Sequence, residues 1–297
     1  MKVSIIVCST GRETLFDCLK SLKSQDFDED YEILVVSFEK SIEERVKNFG
    51  ARFIFSPKAN VSYQRNLGIL ESRGELVCFI DDDAVAESSW IKFISEPFKD
   101  EKVACVGGKI KLMIKEKMPE ALKTLDEKVI KGFLGETMLG EERKEVENQF
   151  LWGCNVCFRK SIFDEVGYFD EKIGRTPSLP LCNEDIEIQK RILKKGFKII
   201  YEPRALVWHK ILPEKLTISY FLERSFWQGY SDVLAARRDE KVKKFMENIK
   251  FPFWNFLMKE KIFENMFETF ITKDLNERVF RYKKMGRIVG FLELIGE

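Results

Sequence analysis

Strand-like and helix-like stretches alternate strictly from residue 2 to residue 80, and few architectures accept that order. The apolar run KVSIIVCST (2–10) reads as a buried strand. Gly11-Arg12-Glu13 opens a helix through Ser24, with Leu15, Leu19 and Leu22 on one face. YEILVVS is a second strand, SIEERVKNFG a helix ended by Gly50, ARFIFS a third strand, SYQRNLGILESRG a helix ended by Gly74, and ELVCFI a fourth strand. The alternation predicts an α/β fold, a mostly parallel sheet flanked by helices. Ligands of such sheets bind beyond the carboxyl ends of the strands. The fourth strand runs out, at such an end, into Asp81, Asp82 and Asp83.

Beyond the aspartates the pattern loosens. A helix is expected near Trp90–Phe98 and a strand at VACVGGKI. Residues 111–148 read as charged and mostly helical, broken by Gly132, Gly135 and Gly140, a mobile excursion from the core. FLWGCNVCFRKSIFDEVGYFD returns to the core, and NEDIEIQKRILKKGFKIIYEP reads as a helix followed by a strand. After His209 the alternation stops. The expected organisation is a catalytic domain over 1–212 and a helical extension over 213–297, rich in Phe, Trp and Lys.

Composition excludes several classes. With 44% hydrophobic and 33% charged residues and a net charge of +1, the chain reads as globular, without the basic excess of a nucleic-acid binder. Val3–Val7 is too short for the apolar core of a secretory leader. No stretch approaches the roughly 20 apolar residues that span a bilayer. Seven cysteines, an odd number, with Cys8, Cys78 and Cys105 inside strand-like runs, fit buried thiols in a reducing cytosol. Cys154 and Cys157 form a lone C-x-x-C with no second ligand pair, and are expected to be structural thiols.

Three adjacent carboxylates repel one another, and a loop that crowds them at a strand end suits a hard divalent cation, Mg²⁺ or Mn²⁺. A solvated acidic turn, with Asp83 or Ser88 capping the next helix, is the other reading. Other segments carry similar pairs of readings. STGR is a polar turn at a helix start, able to hold an anion. Arg65 in QRNLG is either a bidentate phosphate partner or a solvated helix residue. Gly153 in WGCN is a backbone approach point or an ordinary bend. Glu184 and Asp185 in NED stand where the helix dipole favours carboxylates in any case. His209, the chain's single histidine, is a metal ligand or a structural residue.

In their order, VSIIVCSTGR, SYQRNLG, GELVCFIDDDA, FLWGCNVCFRKSIFDEVGYFDE and NEDIEIQKRILKKGFKIIYEPRALVWH resemble the successive motifs of family 2 glycosyltransferases over residues 1–210. The resemblance implies a GT-A fold (Rossmann-like) and inverting transfer from a nucleotide diphosphate-sugar to an acceptor hydroxyl of a glycan or a lipid-linked saccharide. It implies a metal, Mn²⁺ or Mg²⁺, on Asp83 and His209. It puts Thr10, Arg12, Arg65, Asp81 and Asp82 with the nucleotide-sugar, Gly153 and Asn155 beneath the donor sugar, Asp185 as the general base, and Glu184 beside it as its tuning or orienting partner. Where the family often has an aspartate that reads the base, this chain has VVSFEKS, with Ser37 in place of the acid and Glu39 as a displaced carboxylate, so the base of the donor is left open.

Two other classes remain on the residues alone: a sugar-1-phosphate nucleotidyltransferase, which wants a more Gly-rich loop than CSTGRET, and a non-catalytic nucleotide-sugar or glycan-binding module, which has no use for Asp185. In the extension, SYFLERSFWQGY and IFENMFETF carry apolar stripes at helical spacing. Either they cover the catalytic domain or a second subunit, or they touch a membrane surface. The expected location is cytoplasmic, with the second reading placing the chain on the inner face of the membrane.

Overall fold

The structure, a computed structural model, describes residues 2–237 and 272–296, which fall into two compact units. The first holds residues 2–115, 134–177 and 184–211. The second holds 116–133, 178–183, 212–237 and 272–296.

The first unit is built on a mixed sheet. Strands β1 (Val3–Ser9), β2 (Tyr31–Ser37), β3 (Arg52–Phe55) and β4 (Leu76–Ile80) lie in the order β3-β2-β1-β4 and are parallel. Helices α1 (Thr14–Lys23), α2 (Glu43–Asn48) and α3 (Val61–Glu71) connect them, as the alternation predicts. β1 is buried along nearly its whole length, and α1 turns Leu15, Phe16, Cys18, Leu19 and Leu22 onto the sheet. Each such side chain contributes about 1.5–3 kcal/mol when fully removed from water. The α3 helix begins at Asn60, whose side chain accepts from the Tyr63 amide at 2.9 Å. On the same helix Gly68 lets the backbone lie against β1, because a Cβ there would meet Ile6.

Past β4 the sheet departs from the parallel expectation. The short strand β5 (Ala84–Ala86), then α4 (Trp90–Ser95), β6 (Val103–Ile114), β8 (Asn155–Arg159), α6 (Ile162–Val166), α7 (Glu184–Lys194) and β9 (Lys198–Ile211) complete the unit. β8 runs antiparallel to both β4 and β6, β9 is parallel to β6, and β5 is antiparallel to β9. One apolar layer packs α1 and α4 on the sheet through residues such as Leu19 and Trp90. The opposite layer brings α3 and α7 onto it through Ile69, Ile188 and Ile192.

The 111–148 excursion is less helical than its charge pattern suggests. β6 continues to Ile114, and the helical parts are a single 3₁₀ stretch at Glu120–Thr124 and α5 (Glu127–Leu134), before the two-residue strand β7 (Lys144–Glu145) pairs with β9. Pairing with β9, which sequence periodicity does not see, extends the strand. A second correction concerns the cysteines. Cys78 and Cys157 face each other across β4 and β8 with Cα atoms 3.9 Å apart, and the structure joins them in a disulfide where free thiols were expected.

In the second unit, α8 (Ile218–Ala236) packs along α9 (Leu275–Gly296). Phe221, Leu222 and Tyr230 of the aromatic stretch SYFLERSFWQGY are buried there. The stretch IFENMFETF lies outside the described residues. No helix among the described residues is long and apolar enough to cross a membrane.

Candidate active site

The acidic triplet is a tight turn between β4 and β5, and its three carboxylates face different partners. Asp82 is buried and ties the turn to the end of β1, accepting from Ser9 Oγ at 2.7 Å and the Thr10 amide at 3.3 Å. Burial, with Asp83 and Asp81 beside it, pushes its carboxyl up to about 6. Asp81 is the more exposed of the three. Asp83 is 4% exposed, with Oδ1 3.2 Å from His209 Nε2 and Oδ2 3.7 Å from the Arg12 guanidinium.

The Asp83–His209 approach is a product of strand pairing. Ala84 of β5 stands opposite His209 of β9, and the Lys210 amide donates to the Asp83 carbonyl at 2.8 Å. A three-residue strand is too short for a periodicity signal, so sequence reasoning missed β5. Leu134 was missed as well. Its carbonyl lies 2.8 Å from His209 Nδ1. A carbonyl can only accept, so Nδ1 donates to it, and Nε2 is the atom turned to Asp83.

Among the described residues no group of three or more His, Cys, Asp and Glu side chains forms a metal site. Asp83 and His209 supply one oxygen and one nitrogen donor. That pair fits a cation such as Mg²⁺ or Mn²⁺, which fills its other positions with phosphate oxygens and water.

The turn at the end of β1 reaches the edge of this site. Thr10 and Arg12 are exposed, and Gly11 has φ +85°, a conformation glycine adopts without strain. A Cβ on Gly11 would come within 2.8 Å of Glu39 Cγ, so Glu39 packs against the turn. The Glu39 carboxylate accepts from the Ser41 amide at 3.0 Å, which makes it the cap of the 3₁₀ turn Lys40–Ile42.

A second cluster holds the remaining candidates. Arg65 is buried and donates to Glu184 Oε1 at 2.7 Å, with the rings of Phe79 and Phe169 at 5.7 and 5.4 Å from its guanidinium carbon. Glu184 is therefore the counter-ion of Arg65. A Cβ at Gly153 would run into the same guanidinium, which is the physical reason for a glycine in WGCN. The Gly153 amide donates to Asp185 Oδ2 at 2.7 Å, and the Ile186 amide to Asp185 Oδ1 at 2.9 Å. Burial pushes the Asp185 carboxyl up to about 6, and the Glu184 charge adds to the shift while Arg65 and the two amides oppose it.

Asn155 belongs to neither cluster. Its amide oxygen accepts from Trp90 Nε1 at 2.8 Å, and its nitrogen donates to the carbonyls of Lys109 and Ala205 at 2.9 and 2.8 Å. With the side chain fully buried and all three bonds used, it braces β8 against α4, β6 and β9 and has no amide hydrogen left for a sugar.

Cys8 lies half-buried near the end of β1. Burial raises its thiol to about 12. Arg65 opposes that shift, and Asp81, Asp82 and Glu184 add to it. The arrangement separates two kinds of carboxylate: Asp83 beside an imidazole nitrogen, suited to a cation, and Asp185 fixed by two amides with a raised proton affinity, suited to proton transfer.

The glycosyl transferase family 2 model matches residues 4–167, which contain every site residue expected from the sequence except Glu184, Asp185 and His209. Among curated relatives, the glucosyl-dolichyl phosphate glucuronosyltransferase of Haloferax volcanii is 29% identical over 249 residues, covering 78% of this chain and 76% of that protein. The poly-beta-1,6-N-acetyl-D-glucosamine synthase of Staphylococcus epidermidis is 26% identical over 241 residues, 77% of this chain and 54% of that one. Among solved structures, S. aureus TarS 1–349 in complex with UDP aligns over 100% of this chain and 92% of its own, with a TM-score of 0.53 at 16% identity. The chain belongs to glycosyl transferase family 2 and is a glycosyltransferase with a GT-A-like mixed α/β fold.

Proposed function

We propose that the protein moves a sugar from a nucleotide diphosphate-sugar to an acceptor hydroxyl, with inversion at the anomeric carbon and with Asp185 as the general base. The observation that carries this reading is the Asp185 carboxylate. It is buried, held by the amides of Gly153 and Ile186, and raised to about 6, so it is ionised at neutral pH yet binds a proton far better than a solvated aspartate. Positioned bases of this kind contribute about 10²- to 10⁴-fold.

Asp83 and His209 Nε2 would hold Mn²⁺ or Mg²⁺, which when bound neutralises the charge growing on the leaving diphosphate. Asp81, Thr10 and Arg12 edge the donor site, and Asp82 keeps the β1 turn in register with the acidic turn. Arg65 neutralises Glu184, and so moderates the like-charge effect on Asp185. Asp185 accepts the acceptor's proton as its oxygen attacks the anomeric carbon from the face opposite the diphosphate.

The likeness to a glucosyl-dolichyl phosphate glucuronosyltransferase and to a poly-beta-1,6-N-acetyl-D-glucosamine synthase supports a glycan or lipid-linked acceptor. With such an acceptor the protein works at the cytoplasmic face of a membrane. UDP is the first nucleotide to test, because TarS was solved with it, and Ser37 in place of the usual acid is the reason to include GDP and dTDP.

The experiment pairs calorimetry with turnover. Asp185→Asn should bind nucleoside diphosphate with Mn²⁺ as the wild type does and lose at least 10²-fold in kcat. Asp83→Ala should weaken nucleotide binding in the presence of metal. Loss of donor binding in Asp185→Asn, or retained turnover, would overturn the assignment. A wild type that binds the donor and never transfers or hydrolyses it would be a binding module.

A further inference from the structure

β9 changes face partway along its length. In its first part Ile199 and Tyr201 pack in the layer of α3 and α7, and Ile200 packs against the layer of α1 and α4. In its second part Ala205 and Val207 lie in the layer of α1 and α4. The neighbouring β6 keeps its alternation, with Val106 and Ile110 both in that layer. From Val106 to Ile110 β6 advances four residues, while their partners on β9, Ile200 and Val207, stand seven apart. The difference is a bulge of Pro203, Arg204 and Ala205, between the pairs Gly108–Glu202 and Lys109–Leu206. An odd number of extra residues moves every later side chain to the other face of a sheet.

His209 depends on that inversion. It follows Val207 by two residues, and β5 sets Ala84 opposite it and Ala86 opposite Val207. Ala84 and Ala86 belong to the layer of α1 and α4 as well. Without the bulge, residue 209 would turn to the α3 and α7 side, away from Asp83.

The groups that hold the bulge all lie in the first unit. Asn155 spans it, donating to the Lys109 carbonyl of β6 at 2.9 Å and to the Ala205 carbonyl of β9 at 2.8 Å, while Trp90 Nε1 fixes its oxygen at 2.8 Å. Gly108 permits the close approach, because a Cβ there would strike the Ala205 carbonyl and the Asn155 amide. From the other end the buried Glu202 carboxylate accepts from the Arg204 amide at 3.0 Å and from its guanidinium at 2.9 Å.

We propose that Asn155 is a positioning residue for the cation site: it holds the bulge that inverts β9 and so presents His209 to Asp83. The inference rests on the reading of Asp83 and His209 as the cation's ligands. Outer residues that orient metal ligands typically contribute 10- to 100-fold in metal affinity.

The test uses the full chain with Asn155→Asp, Gly108→Ala and Arg204→Ala. Asn155→Asp keeps the side-chain shape and the acceptor for Trp90 and loses both N–H donors. Gly108→Ala pushes on the bulge from β6, and Arg204→Ala loosens it from its exposed side. Two readouts are independent of turnover. The first is hydrogen exchange at the Lys210 amide, which donates to the Asp83 carbonyl and so reports the pairing of β5 with β9. It should speed up at least tenfold in Asn155→Asp and Gly108→Ala and by a smaller factor in Arg204→Ala, with the amides of β1 unchanged. The second is the imidazole ¹⁵N spectrum of protein made without a histidine tag, in which His209 gives the only signal. Mg²⁺ with UDP, GDP or dTDP should move its Nε2 resonance, and Asn155→Asp should need at least tenfold more Mg²⁺ for the same shift. Folded Asn155→Asp with wild-type Lys210 exchange and wild-type Mg²⁺ response would end the proposal. Should that variant and Gly108→Ala fail to fold, wild-type Lys210 exchange in Arg204→Ala would end it. Asp83→Ala is measured beside them: a His209 signal that ignores Mg²⁺ in the wild type, or responds equally in Asp83→Ala, would end the cation reading, whereas unchanged Lys210 exchange in the bulge variants would end the positioning role alone.

Discussion

Asp185 is ionisable, buried and bonded to two amides, and each of those facts has a measurable consequence. On the proposed general-base role its conjugate base would be the reactive form, so kcat should be flat above neutrality and fall as pH drops through about 6. The same shift has a stability side. A carboxyl raised above its ordinary 3.8 stabilises the fold while protonated, and that contribution is lost as pH rises through about 6. The wild type should therefore lose stability relative to Asp185→Asn between pH 4 and pH 7, read by calorimetry across that range. Arg65 offers a second test. Removing it leaves Glu184 buried beside Asp185 without its cation, so Arg65→Ala should cost about 3–5 kcal/mol in urea unfolding. QRNLG and NED are 119 residues apart in sequence at the bonded pair, so the pairing of Arg65 with Glu184 had no local signature. The carboxylates were legible as candidates from their motifs; their hydrogen-bond and ion-pair partners were not, because those come from other elements.

Close approach between elements depends on a few glycines. In the second unit, a Cβ on Gly229 would strike the Lys283 carbonyl, and one on Gly286 the Phe226 carbonyl. Backbone atoms cannot swing aside as a flexible side chain does. Alanine in a helix gains about 0.5–1 kcal/mol over glycine, and overpacking costs about 1–3 kcal/mol. The clash should win at Gly286, and Gly286→Ala should lower the thermal midpoint. Gly132, in α5, is the control: nothing lies within 4 Å of its Cβ position, so Gly132→Ala should be neutral or stabilising in the same measurement. The four parallel strands and their helices were readable because hydrophobic periodicity reports burial on one or both faces. β5, the extension of β6 and the disulfide-bonded opposition of Cys78 and Cys157 were not, because each depends on register with a strand distant in sequence.

For the molecule as a whole, ligand binding should couple to stability. Nucleoside diphosphate with Mn²⁺, at a hundredfold excess over its dissociation constant, should stabilise the native state by about 2.7 kcal/mol. EDTA should abolish both that thermal shift and turnover, and Mn²⁺ or Mg²⁺ should restore them. A shift that persists in EDTA would mean that the donor binds without Asp83 and His209 holding a cation. By itself the sequence determined the α/β class, the parallel half of the sheet and the acids at its carboxyl edge, because those follow from local periodicity and from the like-charge cost of crowding aspartates. Only the tertiary structure decided that His209 meets Asp83, that Glu184 answers Arg65, that Asn155 is a brace, and that Asp185 is held by the Gly153 amide. Each of these is an interaction between residues far apart along the chain, and its geometry exists only once strand register and helix packing have fixed both partners in space.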